Sequence, residues 1–227
     1  IWYVDGSVAG SGNGTSWAQA FKTIEEGLTA ASDGDLVLVA DGTYTGAGNR
    51  AIWFNGKAVY LLGVDHHTQG ARPVIDCEGE SAAFLFTSGE SADAVLSNFT
   101  IKGGASVRGG AVYCNNSSSP TIIECTFEGN SAYEQGGAIY CSSSDPTIVH
   151  CVFRNNTARA GGAIYCASCN APVISRCLFE ANSAGGGGAV SCWSSSAIIT
   201  RCVFRRNSAS ASAGAIASEL NNSNPHI

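Results

Sequence analysis

Charge is scarce in this chain of 227 residues: 13% are Asp, Glu, Lys or Arg, and 12 basic residues are outnumbered by 18 acidic ones, for a net charge of −6. A nucleic-acid surface usually requires a basic stripe, so that class of partner is not expected. No apolar run approaches the length of a membrane span. Clustered carboxylates are missing as well. Ca²⁺-assisted elimination uses carboxylates grouped around the ion with a nearby base, and glycoside hydrolysis uses two carboxylates at a set separation. Here Asp145 stands alone in a turn-forming stretch and the other acids are scattered. The chain opens at Ile1 without a signal segment, which fits a processed mature form and a trimmed one equally.

What the chain has in quantity is repetition. Cys125-x-Phe127-x-x-Asn130 recurs as Cys151-x-Phe153-x-x-Asn156, Cys177-x-Phe179-x-x-Asn182 and Cys202-x-Phe204-x-x-Asn207, a period of about 26 residues. Between these copies runs Gly-Gly-Ala-(Ile/Val) at Gly109, Gly136, Gly161 and Gly187, with a degenerate version at Ala213-Gly214-Ala215-Ile216. Such a period marks a solenoid, in which each unit buries its apolar face only by stacking on the next. The first half of the unit also fits a leucine-rich repeat, but the second half is a β-prone run followed by the turn-forming Ser142-Ser143-Ser144-Asp145-Pro146, where that repeat would place a helix. The reading is all-β: a right-handed single-stranded parallel β-helix with two or three short strands per coil.

Stacking places equivalent residues one inter-strand spacing apart, roughly 4.8 Å, so columns of side chains follow from the repeat. Val112, Ile139, Ile164, Val190 and Ile216 stay aliphatic and are expected to face inward, with Tyr113, Tyr140 and Tyr165 next to them facing outward. The same alternation buries Cys125, Cys151, Cys177 and Cys202 beside Phe127, Phe153, Phe179 and Phe204, and Cys114, Cys141, Cys166 and Cys192 beside the aliphatic column. Lys102, Glu128, Arg154, Glu180 and Arg205 alternate in sign along an outer column. Exposed ion pairs contribute only about 0 to 1 kcal/mol each, so this column is read as a device that fixes register. Asn130, Asn156, Asn182 and Asn207 make a further column at a turn, where side-chain amides can bond along the axis.

Upstream the pattern is fainter. Phe99 and Ile101 sit one period before Cys125 and Phe127, and Phe86 one period before Val112. Asp35 to Tyr44 reads as the first full strand and its turn. Ser16 to Leu28 carries apolar residues at helical spacing after Thr15 or Ser16 as N-cap, predicting a short helix across the open end of the first coil. The chain is thus one domain over 1–227: an N-terminal strand and capping helix (1–34), irregular coils (35–106), regular repeats (107–216) and a tail (217–227).

Tyr3-Val4-Asp5, Gly14-Thr15-Ser16-Trp17, Phe21-Lys22-Thr23-Ile24 and Gly34 through Tyr44 resemble the opening of pectate-lyase-like right-handed β-helix proteins. The Gly-Gly-Ala-Ile and Phe-x-x-Asn phrases are similar to those of chlamydial polymorphic membrane proteins and related surface β-helices. The resemblance implies the fold over nearly the whole chain. The superfamily includes lyases, hydrolases, adhesins and autotransporter passengers, so activity has to be argued from side chains.

Several side-chain groups are candidates on that basis. In-register parallel neighbours hold Cβ atoms further apart than the roughly 3.8 Å a disulfide prefers, so the column cysteines are expected to pack mostly as buried thiols. Cys166-x-x-Cys169 has the spacing of zinc and redox pairs, but Cys166 belongs to the inward column. Asp65-His66-His67 is the densest polar spot, and adjacent loop histidines are ordinarily solvated. No metal, cofactor or catalytic residue is therefore expected. Tyr113, Tyr140 and Tyr165 with Trp193 could form an aromatic track for sugar rings, although they could equally stack on one another.

The expectation is a secreted or surface-displayed structural β-helix without catalysis (an adhesin-like module, a passenger or a self-assembling subunit), located outside the cell or on its surface and able to contact polysaccharide or a cell surface. A carbohydrate-active enzyme of the pectate-lyase-like class is the alternative. After Asn207 nothing amphipathic is available to cover the last coil, so further repeats or head-to-tail self-association are expected there, with Ile1 to Val4 as the donor strand.

Overall fold

The computed structural model describes residues 1–219, a right-handed parallel β-solenoid of about 7 turns with about 26 residues per turn. The coil of residues 121–146 shows the plan. Thr121–Ile123 lies in a first sheet of eight strands, and Thr126–Glu128 in a second of seven. Ser131–Gln135 belongs to a lateral sheet of five strands, and Ile139–Ser142 to a third sheet of seven. All pairings are parallel, with Phe127 level with Phe153 and Ile139 level with Ile164. Each regular coil therefore has four strands, one more than the repeat suggested. The additional strand is built from segments such as Thr157–Ala160, whose inward positions are only alanines, too small to give the apolar signal of the other strands.

Left-handed residues turn the corners. In this coil they are Glu124, Gly129, Gly136 and Ser143, with φ of 56°, 63°, 66° and 48°. Only the third corner requires glycine by space: a Cβ on Gly136 would stand 2.2 Å from the Ile139 carbonyl, and one on Gly137 would stand 2.1 Å from the Gly162 carbonyl of the next coil. The Gly-Gly-Ala phrase is thus the corner at which the lateral strand gives way to the third sheet with two backbones in near contact.

The core is a stack of columns. Phe127, Phe153 and Phe179 are fully buried, and successive rings from Phe127 to Phe204 lie nearly parallel with centroids 4.8–4.9 Å apart. Val112, Ile139, Ile164 and Val190 fill the third-sheet wall, and Ile122, Ile148, Ile174 and Ile199 the first. All ten cysteines are free thiols; nine are buried and Cys202 is half-buried. Cys125, Cys151, Cys177 and Cys202 each point Sγ at main-chain carbonyls, as Cys151 does toward Ile122 at 3.6 Å. At the turn after the second sheet, Asn130 gives its backbone N–H and its Nδ2 to Asn156 Oδ1 at 3.0 and 3.1 Å. Asn182 does the same to Asn207 Oδ1, at 3.0 Å for both bonds.

The outer charge column holds its register: Lys102, Glu128, Arg154, Glu180 and Arg205 face one another strand by strand. It begins one coil earlier than expected, at Asp76, which pairs with Lys102 at 3.1 Å. Glu180 sits between Arg154 at 3.7 Å and Arg205 at 3.0 Å, whereas Glu128 closes no ion pair among the described residues.

Four details differ from the sequence reading. The helix predicted from Ser16 is broken: Trp17–Gln19 is a single 3₁₀ turn, and α1 runs Ile24–Ala30 from an N-cap at Thr23. The break follows from Phe21, whose backbone exchanges hydrogen bonds with Tyr3 and Asp5 and so cannot be helical. Thr23 and Glu26 then form a reciprocal capping box, and Lys57 Nζ satisfies the carbonyls of Leu28, Thr29 and Ala31 at the other end. Second, the strand expected at Ile1 to Val4 is present as Trp2–Val4, paired with Leu36–Ala40, but it is not open to a partner. Its outer edge is occupied by Gly14 and Phe21, so the proposed donor strand presents no free edge. Third, Val112 stands level with Phe84, not Phe86, because that coil is longer by two residues. Fourth, Ile216–Glu219 adds a strand to the third sheet, while the tail at 220–227 lies outside the described residues.

Candidate functional site

The lateral sheet makes a long concavity on the rod's flank. Ala105–Arg108, Ser131–Gln135, Thr157–Ala160, Ser183–Gly186 and Ser208–Ala209 form a wall beside the outer face of the third sheet, whose outward residues are the floor. Two adjoining depressions meet at Arg108. One of about 480 Å³ runs over Ala82, Leu85 and Tyr113; the other, about 740 Å³, runs over Tyr140, Tyr165 and Trp193.

The tyrosines do point out of the coil, but they are not exposed. Tyr140 and Tyr165 retain 6% and 7% of their accessible surface, because the lateral strands close over them. Tyr113, Tyr140 and Tyr165 stack face to face at 5.3 and 5.9 Å, so their ring faces are used on one another. The aromatic track expected for sugar rings is therefore reduced to Trp193, which is 45% exposed at the far end of the floor.

Two guanidinium groups stand on the wall. Arg108 is clamped by Glu134, at 2.8 Å from both Nε and Nη2, and lies over the Tyr140 ring at 5.6 Å. The Glu134 hydrogen bond raises Arg108 further above its ordinary value, so the group is a fixed cation. Arg159 lines the same depression, is exposed and closes no ion pair among the described residues. Glu134 is the one carboxylate shared by this depression, and it is engaged. The arrangement offers cationic and hydroxyl groups (Arg108, Arg159, Ser142, Ser168) along an aromatic floor. It does not offer the paired carboxylates that acid–base hydrolysis uses.

Asp145, Glu90 and Asp65 each have a structural role. Asp145 accepts from Ala171 N at 2.9 Å, bridging two turns. The buried Glu90, which the sequence did not single out, accepts from Gly56 N, Ser88 N and Ser118 Oγ at 2.9, 3.0 and 2.7 Å, pinning turns of neighbouring coils. Asp65 closes its own loop through Gly70 N. His66 and His67 contact the N-terminal segment, none of which lines the groove. Cys166 and Cys169 are both buried, with Cys166 Sγ 3.4 Å from Cys141 Sγ.

A family model described as a right handed beta helix region matches residues 36–204. No curated protein matches the chain. Among solved structures, a rhamnogalacturonan lyase is similar, with a TM-score of 0.57 and 14% sequence identity over 99% of this chain and 61% of that one. The chain thus spans about three fifths of that structure's length, and at this identity the likeness is one of fold.

Proposed function

Because this chain belongs to the right-handed β-helix family, a fold that serves binding and catalysis alike, we propose that it is a structural, adhesin-like module, secreted or surface-displayed. In this reading it holds an extended acidic polysaccharide along the lateral groove and does not cleave it. The observation that carries the proposal is the pairing of Arg159, without an ionic partner among the described residues, with the exposed face of Trp193 in one depression. An acidic sugar matches both: its carboxylate suits a guanidinium fork and its apolar ring face suits an indole. The sole carboxylate there is spent on holding Arg108, which leaves no carboxylate pair for acid–base hydrolysis.

Titration calorimetry with polygalacturonate and with a neutral glucan tests this, run beside an assay for unsaturated or reducing ends with and without Ca²⁺. Binding of the acidic polymer alone, weakening with salt and without product, is the expected result. A second reading, a polysaccharide lyase, is favoured by the fold likeness to a rhamnogalacturonan lyase. Release of unsaturated products by the purified chain would establish it in place of the first.

A further inference from the structure

The first coil and the loop after Tyr60–Val64 bring Asp5 together with the adjacent histidines His66 and His67, three groups able to ligate a metal. Asp5, just beyond strand Trp2–Val4, is 5% exposed; Oδ1 accepts from Ser7 N at 2.9 Å and Oδ2 lies 3.1 Å from His67 Nε2. His67 is set in place by its own backbone N–H, which donates to Asp41 Oδ1 at 2.5 Å. His66 lies flat on Trp17 with centroids 4.0 Å apart at 15°, and Trp17 in turn packs against the Tyr3 ring. One donor atom from each of Asp5, His66 and His67 lies within 4.8 Å of the other two.

We infer that Asp5, His66 and His67 bind a divalent transition metal of the Zn²⁺ class. Two imidazoles and one carboxylate match such ions, whereas Ca²⁺ and Mg²⁺ take oxygen ligands. Ligands held at about 2.0–2.2 Å by one tetrahedral ion stand roughly 3.4 Å apart. The Asp5–His67 distance already matches, and His66, being exposed, can close the remainder by a small ring movement. A simple Asp5–His67 ion pair explains neither the placement of His66 nor the local charge. Asp5 and Asp41 are both buried carboxylates bound to His67, one through its imidazole and the other through its backbone N–H, and among the described residues no Lys or Arg pairs with either. The fourth position faces solvent from the two exposed imidazoles, leaving room for water or an anion.

Calorimetry of the metal-free protein with ZnCl₂, with CaCl₂ as the control, tests the site. The expected result is one equivalent of Zn²⁺ bound, a higher melting temperature, shifts of both imidazole resonances, and no Ca²⁺ heat. His66→Ala, at an exposed position, should fold normally by circular dichroism and bind Zn²⁺ at least about 10-fold more weakly. Absence of Zn²⁺ binding would overturn the inference. So would undiminished binding by the His66→Ala/His67→Ala double variant, which keeps all ten thiols and would locate the metal on them.

Discussion

Asn156 gives two hydrogen bonds to one atom of Asn182: its backbone N–H at 3.0 Å and its side-chain Nδ2 at 2.9 Å both end on Oδ1. Its own Oδ1 receives the same pair from Asn130, and its Nδ2 also reaches the Phe127 carbonyl. Replacing Asn156 by Ala leaves a buried N–H and a carbonyl without those partners. At about 1–3 kcal/mol for a buried group left unsatisfied, a loss of about 2–4 kcal/mol is expected in denaturant titrations. Asn207→Ala, at the half-buried end of the row, should cost less.

Phe153→Ala should cost about 3–5 kcal/mol, since the cavity opens between two rings that cannot close without breaking the stack. Tyr140→Ala should cost less, because only the lateral strand and Arg108 cover it from outside. The gap is narrower than an exposed tyrosine would give, and the two melting curves measure it.

Glu180→Arg sets like charges beside Arg154, Arg205 and Arg206, the last 3.9 Å from Glu180. A loss of about 1 kcal/mol is expected at low salt, shrinking as ionic strength rises. Inverting Arg154 and Arg205 in the same chain should recover only part of it, because Arg206 stays beside position 180 and Arg154→Glu sets a like charge level with Glu128.

Arg159→Ala and Trp193→Ala should each lower the affinity for an acidic polysaccharide about 10-fold while leaving the melting temperature unchanged, since both side chains are exposed. Unaltered binding in both variants would move the ligand off this groove.

Stability should fall in alkali. Burial pushes the thiols of Cys77 and Cys125 from 9.0 up to about 12. In the unfolded chain they ionise near 9, so above that pH the unfolded state binds fewer protons and is favoured. The contribution is complete below about 9 and is lost as pH rises toward about 12. Denaturant midpoints measured from neutral pH to about pH 10 should show the decline, and a Cys125→Ser variant should show less of it.

The register was legible because Phe, Cys and Asn recur at one spacing and each step of the stack is the same step. The lateral sheet was not, because Thr157–Ala160 and Ser183–Gly186 are short, small and polar, and read as turn. Its consequence, the burial of Tyr140, was hidden with it. The helix start was misplaced because apolar spacing around Trp17 resembles a helix until Phe21 is claimed by Tyr3, a tertiary event. Asp76 and Glu90 were missed for want of a repeat around them, and Asp5 meets His67 only once the chain has wound through two strands. A Thr23-x-x-Glu26 capping box was the local signal that could have corrected the helix.

In the regular coils, the side-chain hydrogen bonds that link one coil to another join residues 24 to 29 positions apart. For folding this means that every loop to be closed is of one modest size, whatever the number of coils. The entropic cost of closure grows only as the logarithm of loop length, so each coil meets the same barrier once a neighbour exists to add to. The slow event is the first pair of coils; later ones propagate from it. Melting should run in the opposite sense from the end where Val203 is 55% exposed, so hydrogen exchange should be fastest in Val203–Arg205 and slow inward, coil by coil.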